Sequence, residues 1–167
     1  TTGKPVAVIL RPGKTPDGAE VALVLRHVVR AIRARWPRVE ILVRGDSHYG
    51  RREAMTWCEQ NRVAYVFGLA GNKVLLSRVA DLAEDAAVAR VDGESPKVRR
   101  LAAFSYAARS WHTERRVIAR IEASALGRDT RFIVTNLRGT PRWLYEGVYC
   151  QRGQAENLIK AHKLHLA

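Results

Sequence analysis

The sequence predicts an α/β fold: strands and helices alternate first, and an antiparallel β segment follows. Three observations predict it. Short apolar runs closed by glycine or proline recur through residues 1–91. Stretches with a helical apolar period lie between them. After a polar loop, runs rich in Val, Ile, Phe and Tyr alternate at the period of a strand.

Each element has its own signal. KPVAVILRP (4–12) is a continuous apolar run closed by Arg-Pro-Gly, the pattern of a buried strand and its turn. In TPDGAEVALVLRHVVRAIRARWP, Asp17 followed by Glu20 gives a capping-box start. Leu25, Val28, Val29, Ile32 and Trp36 then trace one helical face, and Pro37 closes the helix. VEILVRGDSHYG (39–50) reads as a strand ending in Gly-Asp. A helix over 52–62, a strand over 64–71 and one long helix over 74–91 follow. This alternation predicts a mostly parallel sheet with helices packed on it. Trp36 and Trp57 fall on apolar helix faces and read as core.

VDGESPK then breaks the pattern, and VRRLAAFSYAARSW, TERRVIARIEAS and TRFIVTNL read as three strands, the last two joined by the hairpin ALGRD. After LRGTP the chain returns to helix. The division is therefore residues 1–91 as a strand–helix core, 92–138 as a β insertion and 139–167 as a C-terminal helix of the core.

Composition narrows the function. With 167 residues and 47% hydrophobic content the chain supports one domain with a core. Lys and Arg outnumber Asp and Glu by 29 to 16, a formal charge of +13 spread along the chain, which points to a polyanion such as nucleic acid. Cys58 and Cys150 lack zinc-site spacing and fit a reducing compartment. No run approaches the ~18 apolar residues of a membrane span, so cytoplasm is expected. The chain opens TTGKPVAV without an initiating methionine and stops in mid-helix at KAHKLHLA, as the interior of a longer protein would.

YCQRGQAENLIKAHK (149–163) carries the chemistry. On a helix turning about 100° per residue, Tyr149, Arg152, Glu156 and Lys163 fall within an arc of about 60°, with Lys160 beside it. Val148, Ala155, Leu158, Ile159 and Leu166 fill the neighbouring sector and pack on the body. One acid among three bases makes a poor salt-bridge lattice, so the stripe reads as a site. Its partner is Asp46, at the carboxyl end of the strand Val39–Val43, the edge where open α/β sheets place ligands. Two such carboxylates can hold magnesium against phosphate oxygens, and the implied chemistry is metal-assisted attack on a phosphodiester.

Tyr149-x2-Arg152-x3-Glu156-x6-Lys163 resembles the Y-x2-R-x3-E-x6-K signature of bacterial insertion-sequence transposases of the DDE type, and VRGDSHYG, FGLAGN and LRPG extend the resemblance over most of the chain. It implies a ribonuclease H-like core with an antiparallel β insert between the second and third acids. It also implies two Mg2+ ions, with Mn2+ as substitute, and a polynucleotidyl-transferase activity on transposon ends and target DNA. Further implications are a homodimer in the full-length protein and a bacterial, nucleoid-associated location. Residue by residue, Asp46 becomes the second acid and Glu156 the third, while Tyr149, Arg152 and Lys163 contact phosphates. The family's first aspartate precedes an element like TTGKPVAVILRPG, so the core is expected to be incomplete at the N-terminus and this piece inactive alone.

Lesser candidates complete the set. Relatives stack an insert tryptophan on a base, which makes Trp111 a candidate, although hairpin packing is the plainer role. Arg109, Arg115, Arg116 and Arg120 are candidates to track a DNA backbone. His48 and Tyr49 flank Asp46, and His162 reads as packed. Two other functions compete: a DNA-binding transposase remnant without catalysis, and a serine esterase with Ser47 of Gly-Asp-Ser as nucleophile. The esterase needs an acid-held histidine late in the chain, and His162 and His165 lack that setting.

Overall fold

A computed structural model describes residues 7, 9, 16–93, 95–152 and 157, with Arg152 described by its backbone. The strand expected over 4–12 lies outside the described residues, apart from Ala7 and Ile9.

Helix α1 spans Gly18–Arg35 and starts as expected: the Asp17 carboxylate accepts the Glu20 N–H at 2.8 Å. Arg33 and Arg35 in its last turn suit the negative helix end, and Arg33 also donates to the Asn61 and Arg62 carbonyls. Strand β1 (Leu42–Gly45), helix α2 (Arg52–Gln60) and strand β2 (Ala64–Leu69) follow, all near their predicted places. The single helix expected over 74–91 is instead two, α3 (Lys73–Ser77) and α4 (Ala80–Val91). Its break has a tertiary cause: Val79 leaves helical geometry and is buried, while Arg78 donates to the Ser105 carbonyl at 2.8 Å.

Strands β3 (Lys97–Tyr106), β4 (Arg115–Ser124) and β5 (Gly127–Thr135) form the antiparallel meander read from the sequence. They do not stand apart from β1 and β2. All five strands make one sheet in the order β1-β2-β5-β4-β3. Only β1 and β2 pair in parallel among the described strands, so the expectation of a mostly parallel sheet is corrected to a mixed one. The reason is β5, which docks antiparallel on β2 through Val66–Thr135 and Leu69–Phe132. One register row crosses the whole sheet, Arg44–Val66–Thr135–Arg116–Ser105.

Side-chain alternation gives the sheet two faces. Tyr65, Phe67, Val117, Ala119, Ile121, Phe132 and Val134 form one, packed with Val29, Met55, Cys58, Leu75, Val79, Ala86 and Ala89 from α1, α2, α3, the α3–α4 break and α4. Each fully buried Ile, Val or Phe there stabilises by about 1.5–3 kcal/mol. The other face presents Val66, Ile118 and Ile133 to Leu144, Tyr145 and Val148. Those three belong to Trp143–Tyr149, which is wound as a π-helix and continues into one 3-10 turn, Cys150–Arg152. An ordinary helix was the expectation there. Trp57 packs against the core as predicted, but Trp36 is 63% exposed, because α1 ends at Arg35 and Trp36 leaves the helical path.

Candidate active site

Asp46 stands one residue past β1, at the carboxyl end of the parallel pair. Its Oδ1 accepts the His48 N–H at 2.9 Å and its carbonyl accepts the Tyr49 N–H at 3.1 Å, which fixes a tight turn. His48 Nδ1 lies 3.7 Å from the same carboxylate oxygen, and the Asp46 side chain is 39% exposed. A carboxylate so held, yet open to solvent, keeps its orientation for a ligand.

The turn passes close over β2, and glycine makes that possible. A Cβ built on Gly50 would stand 2.5 Å from the Gly68 carbonyl oxygen. A Cβ on Gly68 would stand 2.7 Å from the Ser47 nitrogen, 2.9 Å from the Tyr149 hydroxyl and 3.0 Å from the Asp46 carbonyl carbon. Gly68 is thus the bare spot where the Asp46 turn and the Tyr149 side chain converge. Glycine inside a strand marks such close approach, so FGLAGN held a signal that the sequence reading passed over.

Tyr149 reaches this point from the last position of the π-helix. The Cys150 N–H bonds to the Tyr145 carbonyl, and Arg44 Nη1 donates to the Val148 carbonyl at 3.0 Å, tying the helix end to β1. Such windings are rare and recur at functional sites. Tyr145 and Tyr149 rings sit 5.6 Å apart, and Arg120 lies over the Tyr145 ring at 5.8 Å. An arc of 100° per residue therefore does not describe the step from Tyr149 to Arg152. Glu156, Lys160 and Lys163 lie outside the described residues.

A charge network flanks the helix on the same face. Glu122 accepts from Lys97, Arg99 and Arg120, and Arg99 spans to Glu146 of the π-helix at 2.6 Å. Asp129 completes it by pairing with Arg120 and Arg131. Burial alone would raise the Glu122 pKa, but the hydrogen bonds from Lys97 and Arg99 and the charge of Arg120 overcome it and hold the carboxyl at about 2.

The insert candidates separate. Arg115, one of the four arginines named as candidates for the DNA backbone, is 6% exposed, and its fork is closed on both Glu59 oxygens at 2.7 and 2.8 Å, with Thr56 at 3.1 Å. Tyr65 donates to the same Glu59, and burial with that bond raises the Tyr65 pKa. Arg115 therefore clamps β4 to α2. Trp111 packs edge-on to Tyr106, 5.5 Å between centroids, with the Arg115 guanidinium 5.2 Å away, which is the packing role. Arg120 is likewise buried in its ion pairs. Arg116 sits nearer the surface, donating to the Gly139 carbonyl at 2.8 Å, and Arg109 is exposed.

Among the described residues, no three or more His, Cys, Asp or Glu side chains gather to hold a metal ion. Nor is any described helix long and apolar enough to cross a membrane. Asp46 supplies an oriented oxygen donor of the type magnesium takes.

A mixed five-stranded sheet with an oriented carboxylate at the carboxyl end of its parallel strands belongs to the α/β proteins whose sites lie at strand ends. The chain is a member of the family described as transposase DDE domain group 1, whose sequence pattern matches residues 1–167. No curated protein and no solved structure matches it. DDE transposases are DNA-binding polynucleotidyl transferases that generally use divalent metal ions.

Proposed function

We propose that this chain forms part of the catalytic domain of an insertion-sequence transposase with a ribonuclease H-like core, in which Asp46 and Glu156 are the second and third metal-binding acids. The observation that carries the reading is the meeting of Tyr149 with the Asp46 turn over Gly68. Tyr149 opens the Y-x2-R-x3-E-x6-K signature, so the stretch bearing Glu156 starts close to the turn that carries the Asp46 carboxylate. The two acids would hold the divalent ions, which when bound supply an activated nucleophile and stabilise the leaving oxygen. Tyr149 donates a hydrogen bond to the DNA backbone, while Arg152, Lys160, Lys163 and Arg116 offset phosphate charge. The partner is transposon-end and target DNA, handled by a homodimer of the full-length protein in the bacterial cytoplasm.

Metal binding tests the pairing without needing turnover. Mn2+ titration followed by electron paramagnetic resonance is expected to lose more than about tenfold in affinity in Asp46→Asn and in Glu156→Gln, at least what removal of an outer-shell partner costs. The double variant is expected to be hardly worse than either single one, since the two acids share the ion. Additive losses, or Mn2+ affinity unchanged by either substitution, would refute the shared site. The 167 residues supply two of the three acids, so the chain by itself is expected to show no strand transfer. Cleavage of supercoiled plasmid by this chain with Mg2+, abolished by Glu156→Gln, would overturn that.

A further inference from the structure

The π-helix Trp143–Tyr149 is held at its start, its middle and its end by different partners. At the start the Thr140 hydroxyl accepts the Trp143 N–H at 3.2 Å. In the middle Glu146 takes the Arg99 guanidinium at 2.6 Å. At the end Arg44 donates from Nη1 to the Val148 carbonyl at 3.0 Å, across 104 positions of sequence. Thr140 belongs to the loop before the helix, and Arg99 to β3, at the far edge of the sheet from β1. Arg44 alone of these stands on the segment that carries Asp46, two residues before it.

Strand geometry explains how one segment serves both contacts. Side chains two apart along a strand project to the same face, so Arg44 and Asp46 lead off β1 on one side. Val66, the register partner of Arg44, lies in one apolar cluster with Leu144, Tyr145 and Val148, which identifies that side as the one under the π-helix. The bond has a chemical logic as well. The last carbonyls of a helix lack partners within it and form the negative end of its dipole, where a guanidinium is favourable. A charged donor makes the stronger kind of hydrogen bond. Arg44 is exposed, and holding its long side chain in one geometry costs conformational entropy, so a side chain present only for solvation would stay free. The acceptor is main chain, so the tether acts on the path of the helix itself. The next residue, Tyr149, brings its hydroxyl over Gly68, where the Asp46 turn passes.

We infer that Arg44 is a positioning residue: it ties the end of the π-helix to β1 and so sets how closely the segment beginning at Tyr149 approaches the Asp46 turn. This rests on the reading of Asp46 and Glu156 as partners on shared metal ions, and it adds the group that governs their approach.

The test joins a readout of the tether to one of the metal site. Amide hydrogen exchange over Trp143–Cys150, followed by mass spectrometry without metal, is expected to quicken about tenfold in Arg44→Met, while peptides from β3, β4 and β5 stay unchanged. Mn2+ affinity of the same variant is expected to fall about tenfold, the usual cost of losing a group that orients a metal ligand. Arg44→Lys keeps a donor and a charge and restores most of both. Arg100→Met cuts a tie of the same kind, between β3 and Asp85 on the helical side of the sheet, and changes neither. Should Arg44→Met not fold, Arg44→Gln takes its place, since it is polar but too short to reach the carbonyl. Unchanged exchange over Trp143–Cys150, equal quickening in every peptide, or a lysine variant no better than the methionine one would overturn the inference. Faster exchange with Mn2+ affinity intact would do the same, provided Asp46→Asn lowers that affinity. If Asp46→Asn leaves Mn2+ binding unchanged, the shared metal site falls, and the tether stands or falls on exchange alone.

Discussion

On the sheet face covered by α1–α4, Tyr65, Phe67, Val117, Ile121 and Val134 meet an apolar layer with few polar interruptions. On the face covered by the π-helix, apolar packing is confined to Val66, Ile118 and Ile133 against Leu144, Tyr145 and Val148, and charge surrounds it. Lys97, Arg99, Arg116, Arg120 and Arg131 stand there against Glu122, Asp129 and Glu146. The first face holds the fold by burial, which is strong and non-directional. The second fixes a helix in one orientation through directional pairs, and that helix carries Tyr149 to Asp46. Stability and site geometry are thus set on opposite sides of one sheet, and substitutions should separate them.

Ile121→Ala, on the helical face, is expected to cost about 3 kcal/mol in denaturant unfolding while the folded variant keeps its Mn2+ affinity. A comparable loss of metal affinity would show that the faces are not independent. Gly68→Ala acts from the other side: its methyl must displace the Asp46 turn or the Tyr149 hydroxyl. It is expected to lower Mn2+ affinity about tenfold, with a smaller effect on unfolding than Ile121→Ala. Arg99→Met removes the bridge from Glu122 to Glu146 and is expected to destabilise by about 1 kcal/mol, since the Arg99–Glu146 pair is partly solvated. Its sharper readout is a change in near-ultraviolet circular dichroism from Tyr145 and Tyr149.

Acid supplies a graded version of the same test. The Glu122 carboxyl is held at about 2, below its ordinary 4.5, so between those values the unfolded chain binds more protons than the folded one. Its contribution is complete above pH 4.5 and falls away as pH drops towards 2. Glu122→Gln should flatten that part of the stability profile, and an unchanged slope would remove Glu122 as its source. The smallest effect is chemical. Cys150 is exposed, whereas burial first, and the Glu59 charge second, push the Cys58 thiol up to about 12. A thiol reagent should label Cys150 in the native protein and Cys58 only after unfolding.

Much of the local structure was legible in the sequence. Asp17 capped α1, Gly45 and Asp46 closed β1, and the alternation in VIARI marked β4, because each signal lies within a few residues of what it determines. Asp46 and the Tyr149 signature could be named for the same reason: residue type and spacing carry chemistry. The break at Arg78 and Val79, the exposure of Trp36 and the burial of Arg115 were not legible. Each depends on a partner far along the chain, such as Ser105 for Arg78 and Glu59 for Arg115.

The sequence by itself determined the strand and helix segments, the positive charge and the acids and bases available for phosphate chemistry, since these follow from local periodicity and composition. Tertiary structure alone decided that β5 docks antiparallel on β2, that the helix before Arg152 winds as a π-helix, and that Gly68 admits both the Asp46 turn and Tyr149. Those outcomes turn on close contacts between segments far apart in the chain, and an ångström-scale fit between backbones has no signature in the order of residues along either one.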